Sequence, residues 1–386
     1  MTPGARIAAA IAVLDRILAG DAAEPSLLRW SRGSRFAGSG DRAAVRDLVF
    51  GALRRRETLA ALGGARTGRG LMIGWLRDQG QDPGVLFTGQ GHAPAPLTRA
   101  EAATPAPDLP PLADLPDWLR PEWRASLGDL AQPVAEAMGQ RAPVWLRTNP
   151  ARASRETAAA ALSRDGIETQ PADVSPTALC VVSGERRLSQ SAAYRDGLVE
   201  LQDLSPQLAC EALPLTPGAR VLDYCAGGGG KVLALAARQP AALCFAHDAA
   251  AQRMADLPAR AARAGARITV LPRPVGHFDL VVADVPCSGS GTWRRTPDAR
   301  WRLSRADLDR LAAIQSDILE KVAGLVAPGG ALAYMTCSVL DRENRHQINA
   351  FCEKHPAFSM ALSQRWTPLD HGGDGFYLAL LRHRGG

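Results

Sequence analysis

The chain has 386 residues, with 45 basic and 39 acidic side chains and a formal net charge of +6. This length suffices for two or three domains, and the modest positive charge permits a polyanionic partner without requiring one. The seven cysteines form no C-x-x-C pair and no His/Cys cluster, which argues against a disulfide framework or a zinc site and fits a reducing cytoplasm. No stretch of 18 apolar residues and no basic-then-apolar leader is found, so we expect a cytoplasmic protein without a membrane span.

Residues 1–90 are predicted to form an all-helical domain. Apolar residues recur there at the spacing of one helix face, as in Ile7, Ile11, Leu14 and Leu18. Eight prolines follow within residues 91–121, a composition that predicts an extended Pro-rich linker.

The rest of the chain mixes strands with helices. Residues 122–205 combine helical stretches with short β-like runs such as "ALCVV", which predicts a small α+β module. In residues 206–386, helical stretches alternate with apolar runs, namely "RVLDYC", "LCFAHD", "ITVL", "FDLVVAD" and "GALAYMTC". This alternation predicts an α/β domain with a mostly parallel, doubly wound sheet.

The first of those apolar runs ends in "VLDYCAGGGGK", residues 221–231, which places four glycines between a strand and a helix. Such a turn lets a ligand approach the backbone at the helix N-terminus, and it fits a dinucleotide enzyme as well as a methyltransferase. The spaced G-x-G-x-x-G pattern is missing, as is the Ser or Thr that follows Lys in a magnesium-binding phosphate loop. Asp248 closes the second strand, where an acid usually binds ribose hydroxyls; capping of the next helix is the alternative.

Two cysteines, each followed by serine, come directly after strands of the predicted sheet. Cys287 lies in "DVPCSGSG" and Cys337 in "MTCSV". Because the carboxyl ends of parallel strands meet at one ligand-binding edge, we expect both thiols to face one cleft. The alternative is that they are buried as small hydrophobic residues. A matched pair of thiols suits a reaction that needs one nucleophile and a second group to help undo the adduct.

The chain resembles the Sun/Nop family of S-adenosylmethionine-dependent RNA cytosine-5 methyltransferases, collinearly over residues 140–380. "VLDYCAGGGGK" is similar to the family's Cys-Ala-Ala-Pro-Gly-Gly-Lys motif, "DVPCSGSGTWRRTPDARW" to its Asp-x-Pro-Cys-Ser-Gly segment, and "TCSVLDREN" to its Thr-Cys-Ser-x-x-x-x-Glu-Asn segment. "RFAGSGDRAAVRDLVFGALRR" resembles the NusB-like RNA-binding domain of the bacterial branch that methylates small-subunit ribosomal RNA. The chain departs from the pattern at Gly227-Gly228, which replace Ala-Pro, and at "LPRPVG", where an acid is expected after the third strand.

The resemblance implies a Rossmann-like class I methyltransferase fold, S-adenosylmethionine as cofactor and RNA as substrate, with 16S ribosomal RNA as the expected target. Cys337 would be the nucleophile that adds to carbon 6 of cytosine, Cys287 the helper in product release, and Asp284 a contact to the ring. Lys231 would lie at the active site. The implied cofactor contacts are Asp223, Cys225, Ala226, Gly227, Gly228, Gly229, Gly230, Lys231, Asp248, Arg253 and Asp284. We expect no metal ion and a monomer.

The segment "GTWRRTPDARWR", residues 291–302, interleaves tryptophans with arginines. This mixture suits phosphate contact combined with base stacking, so an RNA-binding role is predicted for Arg294, Arg295, Arg300 and Trp301. The alternative is that the tryptophans pack on the core.

Two other functions stay open. A non-catalytic RNA-binding or ribosome assembly factor that kept the methyltransferase fold is suggested by the missing acid after the third strand, and it would bind RNA without methyl transfer. A Rossmann oxidoreductase would leave the paired Cys-Ser strand ends unexplained, and stabilisation by NAD rather than by S-adenosylmethionine would favour it.

Overall fold

The computed structural model describes residues 1–103 and 108–385, and these fall into two compact units. The first unit consists of Met1–Arg141 and Trp293–Ser304, and the second of Ala142–Thr292 and the chain from Arg305 onward. Residues 104–107 of the predicted linker lie outside the described residues. Among the residues described, no helix combines the length and apolar character needed to cross a bilayer.

The first unit is helical. Its helices include Pro3–Leu18, Ala23–Gly33, Ser39–Arg54, Arg56–Gly63, Gly68–Asp78, Arg99–Ala102, Arg120–Leu127, Ala131–Ala137 and Pro297–Arg302. Leu14, Val49 and Leu59 are fully buried in one apolar cluster, because their spacing places them on the inner faces of successive helices. A Cβ on Gly63 would lie 1.8 Å from the carbonyl oxygen of Gly70, so two of these helices approach more closely there than a side chain would allow.

The first unit extends beyond the boundary predicted at residue 121. The helices Arg120–Leu127 and Ala131–Ala137 belong to it, although the sequence assigned them to the α+β module. The buried Trp123 explains the difference, because its ring stacks on that of Trp293 at a centroid distance of 5.8 Å. Trp123 and Trp293 are far apart in the sequence, so the local pattern of apolar residues cannot predict this contact.

The predicted linker is packed in part. Leu112, Leu115 and Leu119 are buried, and the Arg120 guanidinium donates hydrogen bonds to the carbonyls of Leu112 and Leu115. Burying each leucine side chain stabilises the fold by about 1.5–3 kcal/mol, even though the neighbouring prolines prevent regular structure. The expectation of an extended spacer is therefore wrong for residues 112–119.

The second unit contains two sheets. The smaller one is antiparallel, with strand order β2-β3-β1-β4, and is built from β1 (Val144–Thr148), β2 (Glu168–Pro171), β3 (Ala178–Ser183) and β4 (Val199–Leu201). The larger one has the order β10-β11-β9-β8-β5-β6-β7 and consists of β5 (Arg220–Asp223), β6 (Leu243–Ala246), β7 (Ile268–Val270), β8 (Phe278–Asp284), β9 (Val326–Thr336), β10 (Phe358–Trp366) and β11 (Phe376–His383). The helices of this unit include Arg155–Arg164, Ala192–Arg195, Leu204–Glu211, Gly230–Arg238, Leu257–Ala264, Arg305–Ala323, Arg345–Lys354 and Pro368–His371.

The larger sheet confirms the predicted mostly parallel α/β fold. Strands β5 to β9 pair in parallel, and β10 and β11 add an antiparallel edge. Neighbouring residues face opposite layers: Val221 and Val282 pack in one apolar cluster, Leu222 and Val281 in the other, as expected for strands covered on both faces. Strand order reverses at β5, which lies between β6 and β8, so a ligand is expected at the carboxyl ends of these strands.

Candidate active site

The glycine turn lies between the end of β5 and the helix Gly230–Arg238. Gly227 and Gly229 have φ angles of 50° and 80°, a left-handed conformation that only glycine adopts without strain. A Cβ on Gly229 would also come within 2.3 Å of the Leu257 side chain, and one on Gly228 would lie 2.7 Å from an arginine nitrogen. The turn therefore stays tight and presents backbone N–H groups at the helix N-terminus.

Asp248 follows β6 and is tied to the glycine turn. Its Oδ2 accepts a hydrogen bond from the Gly227 N–H at 2.9 Å, and its Oδ1 accepts one from the Ala250 N–H at 2.9 Å. Arg253 Nη1 lies 3.3 Å from Oδ2, and the Arg253 side chain is more than half exposed. The short helix that follows begins without a side-chain cap, so the carboxylate holds the turn rather than capping that helix. Contact with a ribose stays a prediction.

Asp223 ends β5 and is buried. Its Oδ2 accepts a hydrogen bond from the Val232 N–H at 3.1 Å, whereas its Oδ1 has no hydrogen-bond partner among the described residues. Burial raises the pKa of Asp223 to about 7, although the nearby Lys231 cation acts in the opposite direction. In the same turn, burial raises the pKa of Cys225 to about 12, so this thiol stays protonated, and Ala226 is buried.

Lys231 and Asp284 form an ion pair across the carboxyl ends of β5 and β8. Burial lowers the pKa of Lys231, but the Asp284 charge and hydrogen bond outweigh it, so the net shift is upward and the ammonium is retained. Lys231 Nζ also lies 5.6 Å from the centre of the Phe376 ring. Lys231 is one of only three lysines in the chain, and its side chain is 16% exposed.

The two cysteines predicted to share a cleft are neighbours. Cys287 Sγ lies 3.3 Å from Cys337 Sγ, because β8 and β9 pair in parallel and both residues follow the ends of these strands. The hydrogen bond to Cys337 and burial both raise the pKa of Cys287 well above its usual range. Cys287 therefore keeps its proton and can act as the donor of the pair.

Glu343 is a functional candidate that the sequence analysis did not single out. Its buried carboxylate accepts hydrogen bonds from the hydroxyls of Ser288 and Ser338, the residues that follow the two cysteines. The sequence does contain a signal, because Glu343 in "TCSVLDREN" matches the Glu of the Glu-Asn pair in the resembled motif. Composition and spacing alone do not place that carboxylate against both serines.

The predicted RNA-binding residues lie in the first unit, and two of them are buried. Arg300 is fully buried, donates a hydrogen bond to the Arg54 carbonyl at 2.6 Å and lies 5.1 Å from the centre of the Trp301 ring. Arg294 is 4% exposed, and its carbonyl accepts a hydrogen bond from Arg54 Nε. Trp301 Nε1 donates a hydrogen bond to the Leu53 carbonyl at 2.9 Å. Phosphate contact through Arg300 is inconsistent with its burial, so the structure gives this residue a packing role instead.

Arg295 is half-buried, which is compatible with RNA contact. Its RNA contact, like that of Trp301, stays a prediction.

Comparisons with known proteins place this site in a family. Residues 210–382 match the family model described as 16S rRNA methyltransferase RsmB/F, and residues 115–185 match the ferredoxin-like domain of RsmF/B-like methyltransferases. "Ribosomal RNA small subunit methyltransferase B" of Xylella fastidiosa is 36% identical over 290 residues, which cover 69% of this chain and 68% of that protein. The chain belongs to the RsmB/F methyltransferase family. This confirms the predicted Sun/Nop resemblance.

Other relatives agree. "Ribosomal RNA small subunit methyltransferase B" of Pasteurella multocida is 33% identical over 298 residues, covering 69% of this chain and 65% of the relative. The chain spans 65–66% of the length of the Pasteurella and Xanthomonas relatives, slightly less than two thirds.

The crystal structure of PH0851 superposes with a TM-score of 0.77 over 99% of both chains at 23% identity. NSun6 from Pyrococcus horikoshii with SFG gives a TM-score of 0.62 over 70% of this chain and 99% of that one, at 15% identity. Both show the fold.

The family implies S-adenosylmethionine as the methyl donor, and the residues of the glycine turn fit it. A sulfonium nucleoside needs a ribose acceptor and a close backbone approach but no phosphate site. Asp248 beside the turn and the unpartnered Asp223 Oδ1 provide acceptors, and no phosphate-loop hydroxyl follows Lys231.

Proposed function

We propose that this chain transfers a methyl group from S-adenosylmethionine to carbon 5 of a cytosine in 16S ribosomal RNA, through a covalent bond between Cys337 and carbon 6. The observation that carries the proposal is the pair of sulfur atoms 3.3 Å apart at the ends of β8 and β9, beside the Lys231–Asp284 ion pair. The names of the relatives supply the substrate class, since each describes a methyltransferase of small-subunit ribosomal RNA.

The residue types match the demands of the reaction. Carbon 5 of cytosine is a poor nucleophile, so a thiolate at Cys337 adds to carbon 6 and pushes an electron pair into the ring, which makes carbon 5 nucleophilic. Asp284, held by Lys231, can accept a hydrogen bond from the exocyclic amine and fix the ring in the cleft.

Bound S-adenosylmethionine would supply the methyl group on its sulfonium, held by the glycine turn and Asp248. The remaining work falls to the two thiols. After methylation, the proton on carbon 5 is lost to water, the electron pair of that carbon–hydrogen bond restores the double bond between carbons 5 and 6, and the electrons of the sulfur–carbon bond return to Cys337. Cys287 retains its proton and donates a hydrogen bond to that sulfur, so it can stabilise Cys337 as the leaving group.

RNA must present an unstacked cytosine. Enzymes that act on a base either flip it out of a helix or take a single-stranded substrate. The net charge of +6 favours the approach of a polyanion, although it does not identify the nucleotide.

Bisulfite sequencing of ribosomal RNA tests the proposal. A strain that lacks this protein should lose one or more 5-methylcytosines of 16S ribosomal RNA, the wild-type gene should restore them, and Cys337→Ala should not. Retention of every methylcytosine in the deletion strain would contradict the proposal. RNA binding by the purified protein without methyl transfer would instead favour a non-catalytic RNA-binding factor.

A further inference from the structure

A single carboxylate connects the two cysteine loops. Glu343 is completely buried, and it accepts hydrogen bonds from the Ser288 N–H at 2.7 Å and from the Ser288 hydroxyl at 2.5 Å. It also accepts from the Ser338 hydroxyl at 2.5 Å and from Gln315 Nε2 at 3.1 Å. Ser288 follows Cys287 and Ser338 follows Cys337, so one side chain binds both loops next to their thiols.

This carboxylate is held by neutral donors. No lysine or arginine pairs with Glu343 within the ranges that the structure describes. Transfer of an unpaired carboxylate from water to the protein interior is unfavourable, and hydrogen bonds from neutral donors offset that cost. A buried charge of this kind is a costly way to join two loops, and neutral side chains could do so at lower cost, so the charge itself is expected to have a use.

Further contacts fix the same loops around Glu343. The hydroxyls of Ser290 and Ser338 lie 2.8 Å apart, and Ser290 Oγ accepts a hydrogen bond from the Val339 N–H at 3.0 Å. Asn344 Nδ2 donates to the Ser338 carbonyl at 2.9 Å. The serine after each cysteine is thus a structural link between the loops, which gives a structural reason for the Cys-Ser pair that follows each strand.

We propose that Glu343 is a positioning residue that ties the Cys287 loop to the Cys337 loop through Ser288 and Ser338, and so keeps Cys287 placed as hydrogen-bond donor to the nucleophile. The inference rests on the proposed function for its catalytic consequence but not for its geometry. Glu343 does not touch the reacting atoms; it acts through the two loops.

The charge of Glu343 supports the same assignment. The titratable groups found around Cys287 are Cys337, Glu343 and Tyr334, whose hydroxyl donates to the Glu343 carbonyl. After the hydrogen bond to Cys337 and burial, the negative charges of Cys337 and Glu343 also raise the pKa of Cys287. We therefore expect removal of the Glu343 charge to lower the pKa of Cys287.

Glu343→Gln separates charge from shape. The glutamine keeps one oxygen for the Ser288 N–H and Gln315, whereas its amide nitrogen cannot accept hydrogen bonds from the two serine hydroxyls, so the link between the loops is weakened while the side chain keeps its shape. Glu353→Gln is the matched control, because Glu353 is exposed on the helix Arg345–Lys354. Both variants are expected to remain folded, as measured by circular dichroism and thermal unfolding.

The first readout needs neither RNA nor methyl donor. In a Cys337→Ala background, the rate at which iodoacetamide alkylates Cys287 is followed against pH by mass spectrometry. We expect Glu343→Gln to move this profile to lower pH and to speed alkylation at pH 8 by at least about threefold, whereas Glu353→Gln leaves it unchanged. Superimposed profiles for Glu343→Gln and its parent would overturn the proposal.

The second readout is turnover. In the chain with both cysteines, we expect Glu343→Gln to lower kcat for methyl transfer about tenfold or more while KM for RNA changes by less than about twofold. Ser288→Ala and Ser338→Ala each remove one side of the link, and their effects on kcat should be non-additive when combined. Unchanged kcat in Glu343→Gln, or strictly additive serine effects, would overturn the positioning role. If wild-type protein transfers no methyl group, the proposed function fails, and the alkylation profile still tests Glu343.

Discussion

Two neighbouring segments of the chain, Asp284–Ser290 and Trp293–Arg302, use polar side chains in different ways. In the first, Asp284 pairs with Lys231, Cys287 contacts Cys337, and Ser288 binds Glu343, so each polar group meets a partner at the strand ends of the larger sheet. The second segment belongs to the helical unit, where Arg300 is buried next to two tryptophan rings. In our proposal the first segment takes part in methyl transfer, whereas Arg300 in the second packs inside the helical unit.

The comparison shows that a sequence motif of arginine beside tryptophan is compatible with two different roles. Arginine beside tryptophan suits RNA contact, but the same pair also packs well, because the guanidinium stacks on an aromatic face while its stem buries apolar surface. Neighbouring cysteine, serine and aspartate at the ends of adjacent parallel strands have fewer structural uses. Position in the fold, more than residue type, distinguishes the two segments.

The largest effect is expected at Asp284, on the chemical side of the comparison. Asp284→Asn removes the partner of Lys231 and the proposed acceptor for the cytosine amine, so methyl transfer should fall by about 10²–10³-fold. Single-turnover assays with labelled S-adenosylmethionine measure it. The exposed Asp317→Asn is the control and should retain wild-type rates. If Asp284→Asn lowers the rate of methyl transfer by less than about threefold, Asp284 has a structural role and does not contact the cytosine.

Arg300 tests the packing side. Arg300→Ala leaves a cavity between Trp293 and Trp301 and removes the hydrogen bond to the Arg54 carbonyl, so the free energy of unfolding should fall by about 2–4 kcal/mol. The exposed Arg302→Ala should change it by less than about 0.5 kcal/mol. Urea unfolding gives both values. If Arg300→Ala keeps full stability but weakens RNA binding, the segment is an RNA contact after all.

Asp223, in the chemical part of the molecule, is expected to make the free energy of unfolding depend on pH. Its pKa of about 7 in the folded chain lies above the ordinary value near 4, so the folded state binds the proton more tightly and loses stability as pH rises through that window. Asp223→Asn keeps the acceptor for the Val232 N–H and has no proton to lose. Its stability relative to wild type should therefore improve by up to about 1.4 kcal/mol per pH unit between pH 4 and 7. A difference that does not vary with pH in urea unfolding would show that Asp223 is not held neutral by burial.

The smallest effect concerns the glycine turn. Asp248→Ala removes the acceptor of the Gly227 and Ala250 N–H groups, and we expect the affinity for S-adenosylmethionine to drop about tenfold while the fold persists. Isothermal titration calorimetry measures the affinity. Asp256→Ala, at an exposed position, serves as control. Equal affinities in wild type and Asp248→Ala would restrict Asp248 to a structural role.

Part of this architecture was predictable from local patterns. Apolar runs of the right length, followed by Asp223, Asp284 and Cys337, predict parallel strands whose ends share an edge, and the short distance between the two thiols follows from that topology. The Lys231–Asp284 pair joins the first turn of the helix Gly230–Arg238 to the end of β8, at the edge of the sheet that the same argument identifies.

The rest depends on contacts between distant residues. Glu343 meets Ser288 across 55 positions of sequence, and the stacking of Trp123 on Trp293 places the boundary of the helical unit after residue 141. The burial of Arg300 is contrary to the usual exposure of its residue type. Periodicity and composition do not record such contacts, because each is decided by tertiary packing.

The central claim, that the two thiols have separate roles, is tested most directly on a denaturing gel. Cys287→Ala and Cys337→Ala proteins are incubated with substrate RNA and S-adenosylmethionine, and covalent protein–RNA complexes are detected by their shifted band. If Cys337 attacks carbon 6 and Cys287 assists elimination, Cys287→Ala should accumulate a shifted band and Cys337→Ala should show none. A shifted band from Cys337→Ala and none from Cys287→Ala would reverse the roles, and full methyl transfer by both variants would contradict the covalent mechanism altogether.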